Sequence, residues 1–311
     1  MRHRILITGC TGLVGHGICL TLLEKGYEVW GTSRRPIRSN HPAFHPVILD
    51  LDDIGSLLAI KPVLQNVDTI IHNAAILQVS STKTIDPWED FYTINFVATR
   101  YLLNYSIEHN VKQFIYISGS GSGLLDESFS VLDENTPYLS RNNYASSKIA
   151  AEIVCRQLDI QNKISTCIFR FPAPYGYLGL RNAVMPKFID KVQAGLPITL
   201  WGNGERQQIF TFVEDIGQAC HLAIEAMAQG IYHIAGPEVV SMKQLAESIL
   251  FIYPNTGSKI IFEGTPDPQD GRKISISIDK AIRDLGYKPS FSLLQGLNKI
   301  AKADKSIFFF D

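Results

Sequence analysis

Short apolar runs alternate with longer segments whose apolar residues recur at helical spacing, from the start of the chain to about residue 172. Runs of this kind predict buried parallel strands, and the segments between them predict helices that cover a sheet. The predicted strands are 4–8, 28–32, 46–49, 69–72, 114–117, 165–171 and 230–234. The predicted helices are 13–25, 88–109, 143–158 and 213–227. The alternation predicts an α/β fold with a doubly wound parallel sheet covered on both faces.

A glycine-rich segment, Thr8-Gly9-Cys10-Thr11-Gly12-Leu13-Val14-Gly15, joins the first predicted strand to the first helix. Its three glycines permit a tight turn, let the backbone approach a pyrophosphate and let the helix pack closely on the strand. The helix N-terminus adds unpaired N–H groups and a partial positive charge. The segment therefore predicts a dinucleotide-binding fold of the Rossmann type.

The residues after the second predicted strand indicate which dinucleotide is bound. An NAD site places an acid there for the ribose 2′-hydroxyl, whereas arginine accommodates a 2′-phosphate. This chain has Ser33, Arg34 and Arg35 at that place and no acid before Asp50. Because guanidinium groups suit phosphate geometry, NADP is the predicted cofactor, with NAD as the alternative. Asp50, at the end of the third strand, is a predicted partner of the adenine amino group.

The second motif, Tyr144-Ala145-Ser146-Ser147-Lys148, lies in a predicted helix. Residues four apart share one face of a helix, so the lysine ammonium is expected to favour the phenolate and lower the pKa of Tyr144. A tyrosine tuned in this way transfers a proton to or from a hydroxyl or a ketone. Tyr144 and Lys148 are therefore the predicted catalytic pair.

Composition excludes several other classes of protein. The 45% share of hydrophobic residues excludes a disordered chain, and a net charge of -1 without a basic run argues against nucleic-acid binding. No uninterrupted apolar stretch is long enough to predict a membrane span. The five cysteines include no CxxC pair, which indicates a reducing, cytoplasmic location. His41 and His45 lack a third ligand, so no metal site is predicted.

Taken together, Thr8–Gly15, His72-Asn73-Ala74-Ala75, Asn95 and the Tyr144/Lys148 pair resemble the extended short-chain dehydrogenase/reductases. This superfamily contains NAD(P)-dependent nucleotide-sugar epimerases, dehydratases and reductases. Two later segments, Trp201–Ile216 and Asp279–Pro289, are similar to its C-terminal signatures, so the resemblance covers nearly the whole chain. The segment Leu22–Gly31 is similar to NADP-dependent GDP-mannose dehydratase-like members, which again favours NADP.

The resemblance implies a set of site residues and a domain organisation. Residues 1–172, with a return segment near 209–236, would form the dinucleotide-binding domain, and residues 173–311 a smaller substrate-binding lobe. Cofactor contacts are expected from Gly9, Thr11, Gly12, Leu13, Val14, Gly15, Ser33, Arg34, Arg35, Asp50, Leu51, Ala74, Ala75, Ser118, Tyr144, Lys148 and Pro172. The catalytic residues would be Tyr144, Lys148, Ser120 and Asn95, with Asn95 ordering a water. A homodimer built on residues 88–109 and 143–158 is also implied.

Three positions depart from the family pattern. Gly119 stands where the family has a catalytic Ser or Thr, and Ser120 or Ser118 is the candidate replacement. Gln208 replaces a diphosphate-binding arginine, for which Arg206 is the candidate substitute, and Ala173 replaces an asparagine. The predicted substrate-binding residues are Arg206, Gln208 and Arg272, the last at a phosphate-contacting position of the family.

The sequence thus predicts an NADP-dependent epimerase, dehydratase or reductase that acts on a nucleotide sugar. Two alternatives stay open. A carbonyl reductase with a non-nucleotide substrate is compatible with the altered second lobe. A non-catalytic NADP-binding regulatory protein is compatible with Gly119, Gln208 and Ala173, but the intact tyrosine–lysine pair argues against it.

Overall fold

The strands and helices alternate in the computed structural model, which describes residues 3–77, 88–120, 123–179, 183–269 and 271–304. The strands are β1 (Arg4–Thr8), β2 (Glu28–Ser33), β3 (Phe44–Ile48), β4 (Thr69–His72), β5 (Gln113–Ile117), β6 (Ser165–Arg170), β7 (Pro174–Tyr175), β8 (Ile198–Leu200), β9 (Gln207–Ile209), β10 (Thr211–Phe212), β11 (Gly230–His233), β12 (Val239–Ser241) and β13 (Ile260–Phe262). The helices are α1 (Leu13–Glu24), α2 (Ile54–Ala59), α3 (Lys61–Leu64), α4 (Trp88–Phe91), α5 (Ala98–Glu108), α6 (Asn143–Ile160), α7 (Val184–Gln193), α8 (Val213–Glu225), α9 (Met242–Ile252), α10 (Asp279–Leu285) and α11 (Leu293–Ala301). A π-helix, Tyr92–Val97, joins α4 to α5.

A seven-stranded parallel sheet forms the centre of the first lobe, in the order β11-β6-β5-β4-β1-β2-β3. This confirms the predicted doubly wound α/β fold. The order reverses between β1 and β4, where Thr8 pairs with His72. Ligands of open α/β sheets bind in the crevice at the carboxyl ends of the strands beside such a reversal. The glycine-rich segment follows β1 at this point.

Successive side chains of β1 enter opposite cores, as the pleat of a strand requires. Ile5 and Ile7 pack with α1 and α8 on one face of the sheet. Leu6 packs with α5 and α6 on the other face. Both faces are therefore covered, which explains why the strands are continuously apolar in sequence.

A separate apolar core holds the second lobe, built from α7, α9, α11 and short two-stranded ladders. The chain returns to the first lobe in α8 and β11. It returns once more in α10, because Ala281, Leu285 and Tyr287 pack in the first-lobe core and the Tyr287 hydroxyl donates to the Ala235 carbonyl at 3.1 Å. The sequence pattern did not predict this second return.

Element boundaries differ from the prediction in two informative places. The predicted helix 88–109 is interrupted by the π-helix Tyr92–Val97, and β3 begins at Phe44, earlier than predicted, because its ring packs into the first core. No helix within the described residues has both the length and the apolar character needed to cross a membrane.

Candidate active site

The loop after β1 presses against the segment that follows β4. Gly9 has φ +66°, and a Cβ built on it would lie 2.9 Å from the Ala74 Cα. A Cβ on Gly15 would lie 2.2 Å from the Gly9 carbonyl oxygen and 2.8 Å from Asn73 Nδ2. These distances exclude a side chain at either glycine. The close packing places a bare backbone turn at the carboxyl edge of the sheet.

The N-terminus of α1 is open to an anion. Gly12 is the N-cap residue, and it has no side chain to bond the first N–H groups of the helix, at Leu13 and Val14. The first turn contains no acidic residue that would repel phosphate. The dipole and N–H groups of this 12-residue helix therefore fit the pyrophosphate of a dinucleotide.

Two exposed arginines follow β2. Neither Arg34 nor Arg35 forms an ion pair with any residue that the structure describes. The N–H of Arg35 donates to the Ser33 hydroxyl at 3.2 Å, which orders the start of this loop. Two uncompensated guanidinium groups beside the crevice fit a 2′-phosphate better than a 2′-hydroxyl.

The loop after β3 holds Asp50 and Leu51 at the same edge of the sheet. The backbone N–H of Asp50 donates to the Ser56 hydroxyl at 2.7 Å, and its carboxylate accepts from Asp52 N at 3.1 Å. Leu51 is buried in the core next to α2. One carboxylate oxygen of the half-buried Asp50 takes no part in these bonds, so it suits the predicted adenine contact.

A buried chain of polar side chains fixes the segment after β4. His72 Nδ1 lies 2.8 Å from the Thr8 hydroxyl, and its Nε2 lies 2.9 Å from the Thr99 hydroxyl. The Thr8 oxygen in turn accepts from the N–H groups of Asn73 and Ala74, each at 3.0 Å. Burial lowers the pKa of His72 to about 3, so the imidazole is neutral and acts as a structural link.

The side chain of the buried Asn95 bonds to two other parts of the protein. Its side-chain oxygen accepts from Ile76 N at 2.8 Å, and its Nδ2 donates to the Ile76 carbonyl and to the Ser147 hydroxyl. Ser147 also donates to the Tyr144 carbonyl at 2.7 Å. The amide thus ties the segment after β4 to the turn of α6 that carries Tyr144. Ala75, half-buried, lies in the segment held in this way.

The tyrosine and lysine lie in the first turns of α6, as predicted. The side chain of Asn142 caps this helix by accepting from Ala145 N at 2.7 Å. The buried Lys148 Nζ donates to the Ile117 carbonyl at 2.7 Å and lies 4.1 Å from the centre of the Tyr116 ring. Lys148 is therefore anchored to the end of β5, one strand away from the reversal.

The expected lowering of the tyrosine pKa is wrong for this structure. Burial raises the pKa of Tyr144 to about 12, because the surrounding apolar groups desolvate the phenolate. Burial also lowers the pKa of Lys148 to about 7, so its amine is only partly protonated at neutral pH. At neutral pH the hydroxyl of Tyr144 is protonated and available as a proton donor.

Sequence reasoning missed a buried ion pair beneath this site. Arg170 Nη2 donates to Glu152 Oε2 at 2.6 Å, and both side chains are at most 1% exposed. The Ser118 hydroxyl donates to Glu152, as does the Tyr138 hydroxyl at 2.9 Å. The spacing held a signal, since Glu152 is four residues after Lys148 on the same helical face. The donor capacity of Ser118 is thus used within the protein, because its hydroxyl donates to Glu152 and its N–H donates to the Phe169 carbonyl at 2.8 Å.

The hydroxyl of Ser120 differs from that of Ser118 in its hydrogen bonding. Its side chain is fully buried, and its hydroxyl has no hydrogen-bond partner among the described residues. Its N–H donates to the Phe171 carbonyl at 3.0 Å, which fixes the backbone beside the buried Pro172. A Cβ on Gly119 would meet only that same carbonyl, at 4.0 Å, so the family's side chain would fit there. The structure thus favours Ser120 over Ser118 as the free hydroxyl.

The predicted substrate residues of the second lobe have partners within the protein. Arg206 Nε lies 3.6 Å from Asp267 Oδ2, and its Nη1 is 3.4 Å from Gln269 Oε1. Gln208 lies in β9 and pairs with Val240 of β12. Arg272 Nη2 forms an ion pair with Glu127 at 2.7 Å. A ligand would therefore compete with internal carboxylates for both arginines.

Comparisons with known proteins agree with this architecture. A model described as "NAD dependent epimerase/dehydratase family" matches residues 5–235. The dTDP-D-glucose 4,6-dehydratase of Mus musculus is 26% identical over 329 residues, which cover 95% of this chain and 87% of that protein. A 3-beta-hydroxysteroid dehydrogenase of Mycolicibacterium neoaurum is 26% identical over 331 residues, with 94% and 89% covered. The solved UDP-glucuronic acid 4-epimerase of Bacillus cereus, in complex with UDP-glucuronic acid and NAD, has a TM-score of 0.81 at 23% identity and covers 98% and 99% of the two chains.

Proposed function

Because the chain belongs to the NAD-dependent epimerase/dehydratase family and is an NAD(P)-dependent enzyme, we propose that it acts on a nucleotide sugar with NADP as cofactor and Tyr144 as acid/base. The placement of Tyr144 and Lys148 on α6, at the carboxyl edge of the sheet, carries this proposal. The sugar-nucleotide substrates named for the mouse dehydratase and the Bacillus epimerase support the substrate class.

The cofactor would be held by the glycine turn and the N-terminus of α1, and it would supply a hydride acceptor or donor next to the substrate. Arg34 and Arg35 would bind the 2′-phosphate, Asp50 the adenine, and Lys148 the nicotinamide ribose. The solved Bacillus structure contains NAD, so the proposal that this chain uses NADP depends on Arg34 and Arg35.

The protonation state of the Tyr144 hydroxyl at neutral pH determines the direction of the first proton transfer. A hydroxyl with a pKa of about 12 is protonated at neutral pH and donates to a carbonyl oxygen of the substrate. Ser120 would donate a second hydrogen bond to that oxygen, since its buried hydroxyl is otherwise unpaired. Donation leaves the Tyr144 phenolate, and in the reverse direction this phenolate accepts the proton of the substrate hydroxyl.

Replacing Tyr144 tests this proposal directly. Tyr144→Phe keeps the ring and its packing but deletes the proton carrier, so we expect turnover to fall by roughly 10²–10⁴-fold while NADP binding persists. A panel of nucleotide sugars, assayed with NADP, supplies the substrate for this measurement. Undiminished turnover of the variant would exclude Tyr144 as the acid/base.

Cofactor preference is tested at the end of β2. The unmodified protein should bind NADP more tightly than NAD. Changing Arg34 and Arg35 to Ala should remove most of this preference, because each charge-assisted contact contributes about 1.5–3 kcal/mol. Calorimetric titration with both cofactors measures the change, and equal affinities in the unmodified protein would rule out the 2′-phosphate contact.

A carbonyl reductase with a non-nucleotide substrate is the second candidate. The ion pair between Arg206 and Asp267 favours it, because that arginine is not free to bind a diphosphate. The similarity to a 3-beta-hydroxysteroid dehydrogenase supports the same alternative. Turnover of simple ketones or hydroxysteroids, without turnover of any nucleotide sugar, would select this candidate.

We also propose a cytoplasmic homodimer formed through α4, α5 and α6. Trp88, Tyr92, Ile153 and Ile160 are each at least 40% exposed along this part of the chain, and a partner subunit would cover them. All five cysteines are buried free thiols, which suits a reducing compartment. Light scattering should show a dimer that Ile153→Lys weakens.

A further inference from the structure

Glu152 lies one helical turn after Lys148 on α6, and its side chain is completely buried. Residues four apart share one face of a helix, so the carboxylate and the amine both face the end of β5. Lys148 Nζ donates to the Ile117 carbonyl at 2.7 Å, and the hydroxyl of the next residue, Ser118, donates to Glu152. Successive turns of α6 therefore hold successive residues at the carboxyl edge of the sheet.

The negative charge beside the Lys148 amine comes from Glu152. The titratable or charged side chains that face this amine from β4, β5 and α6, within the described residues, are His72, Tyr116, Tyr144, Glu152 and Cys155. Burial keeps the imidazole neutral and raises the pKa of both tyrosines and of the thiol, so these four groups are uncharged at neutral pH. Burial lowers the pKa of Lys148 to about 7, and the charge of Glu152 opposes this effect by favouring the ammonium.

Arg170 holds the carboxylate from the side of β6. Its Nη2 lies 2.6 Å from Glu152 Oε2, and its Nε lies 3.1 Å from the same oxygen. The Tyr138 hydroxyl donates to that oxygen at 2.9 Å, and the guanidinium carbon lies 5.0 Å from the centre of the Tyr138 ring. When Lys148 is protonated, two buried cations thus share one buried carboxylate. Loss of the carboxylate would disfavour both cations, and of the two only the lysine can release its proton.

We propose that Glu152 is a positioning residue that keeps Lys148 in the ammonium form and fixes the end of β5 to which the lysine is bound. The inference rests on the proposed function, in which Lys148 holds the nicotinamide ribose. Glu152 would touch neither the cofactor nor the substrate and would act through the lysine. An ion pair with a structural role alone would stabilise the fold without changing the titration of Lys148.

The titration of Lys148 tests this proposal without any need for turnover. Full-length protein is produced with lysine that carries ¹³C at Cε, and the signal of Lys148 is identified by its loss in Lys148→Gln. The chemical shift is then followed by NMR between about pH 5 and pH 10, a range that spans the ordinary lysine pKa. In Glu152→Gln we expect the midpoint to fall by about one pH unit or more, because a neighbouring opposite charge is lost while the size of the side chain is kept.

Two further variants serve as a control and as a safeguard against misfolding. Glu108→Gln removes an acid from a surface ion pair with Lys61, so the midpoint of Lys148 should stay unchanged. Glu152→Gln leaves Arg170 buried without its carboxylate, which can prevent folding. In that event the double variant Glu152→Gln/Arg170→Gln carries the test, because it removes both buried charges. Its midpoint should still lie below that of the unmodified protein, since the carboxylate is the charge one turn from the lysine.

An unchanged midpoint in the folded Glu152 variant would overturn the proposal, as would an equal shift in Glu108→Gln. Failure of the proposed function looks different, because then no nucleotide sugar is turned over although the titration of Lys148 still depends on Glu152. On a nucleotide sugar that is turned over, the pH dependence of kcat should move in the same direction as the midpoint. A kcat profile that stays in place would contradict an action through Lys148, and circular dichroism shows that each variant is folded.

Discussion

The polar side chains at the carboxyl edge of the sheet are buried and hydrogen-bonded within the protein, whereas those of the arginine cleft are exposed to solvent. The arginine cleft is the cavity of about 580 Å³ that Arg141 and Lys273 help to line near the start of α6. At the edge, His72, Asn95 and Glu152 are at most 1% exposed, and each has two or more hydrogen-bond partners. In the cleft, Arg141 and Lys273 are exposed, and neither forms an ion pair with a residue that the structure describes. Buried networks hold a site rigid, whereas exposed charges are weakly held and readily exchanged.

This difference separates two regions of one molecule by what a substitution changes. The edge of the sheet holds one fixed geometry, as the hydride and proton transfer that we propose there requires. The exposed side chains of the cleft, in contrast, change at small cost to folding. Substitutions at the edge should therefore alter chemistry or stability, and substitutions in the cleft should leave stability nearly unchanged.

The largest effect that tests this comparison is expected at the two serines after β5. Ser120→Ala removes a free hydroxyl, so turnover should fall by about 10²-fold or more at nearly constant stability. Ser118→Ala is the matched variant. It removes a donor to buried Glu152, so the free energy of unfolding should fall by about 1–3 kcal/mol with a smaller loss of turnover. Steady-state kinetics and urea unfolding separate the two outcomes, and a reversed pattern would assign the free hydroxyl to Ser118.

A smaller effect is expected in the glycine turn. Gly15→Ala places a Cβ 2.2 Å from the Gly9 carbonyl oxygen, so unfolding free energy should fall by about 1–3 kcal/mol and NADP should bind less tightly. Gly12→Ala is the control for stability, since its Cβ would lie 3.4 Å from the same oxygen. Urea unfolding measures both variants. Equal stabilities would mean that the turn relaxes around the added methyl group.

The smallest effect concerns pH. The pKa of His72 is about 3 in the folded protein and about 6.5 when unfolded, so between these values only the unfolded chain takes up the proton. Stability should therefore fall as pH falls below 6.5, by up to about 1.4 kcal/mol per pH unit for this group. His233, also with a pKa of about 3, acts in the same direction. Asp215, whose pKa burial raises to about 6, opposes them below pH 6.

The histidine contribution is isolated by substitution. His72→Asn removes the titrating ring, so the difference in unfolding free energy between pH 7 and pH 5 should become smaller than in the unmodified protein. Urea unfolding at the two pH values provides the measurement. An unchanged pH dependence would mean that the buried imidazole is not the source of acid sensitivity.

Local features of the sequence predicted the fold well, including the glycine turn after β1. Gly9 and Gly15 could be interpreted because their role depends on backbone turns within a few residues. The pKa of Tyr144 could not be predicted from the sequence, because it depends on desolvation by groups distant in sequence. Likewise, Glu152 meets Ser118 and Arg206 meets Asp267 only after the chain has folded. Partners this far apart in sequence leave no spacing signal; only the four-residue spacing of Lys148 and Glu152 pointed to the buried pair.

The π-helix Tyr92–Val97 makes the position of Asn95 sensitive to chain length. A π-helical turn bonds residues five apart and so contains one residue more than an α-helical turn. Loss of a single residue within 92–97 would therefore let the segment close into a regular α-helix and would remove the local geometry from which Asn95 reaches Ile76 and Ser147. A one-residue deletion here should disturb the segment after β4 even when Tyr144 and Lys148 are unchanged.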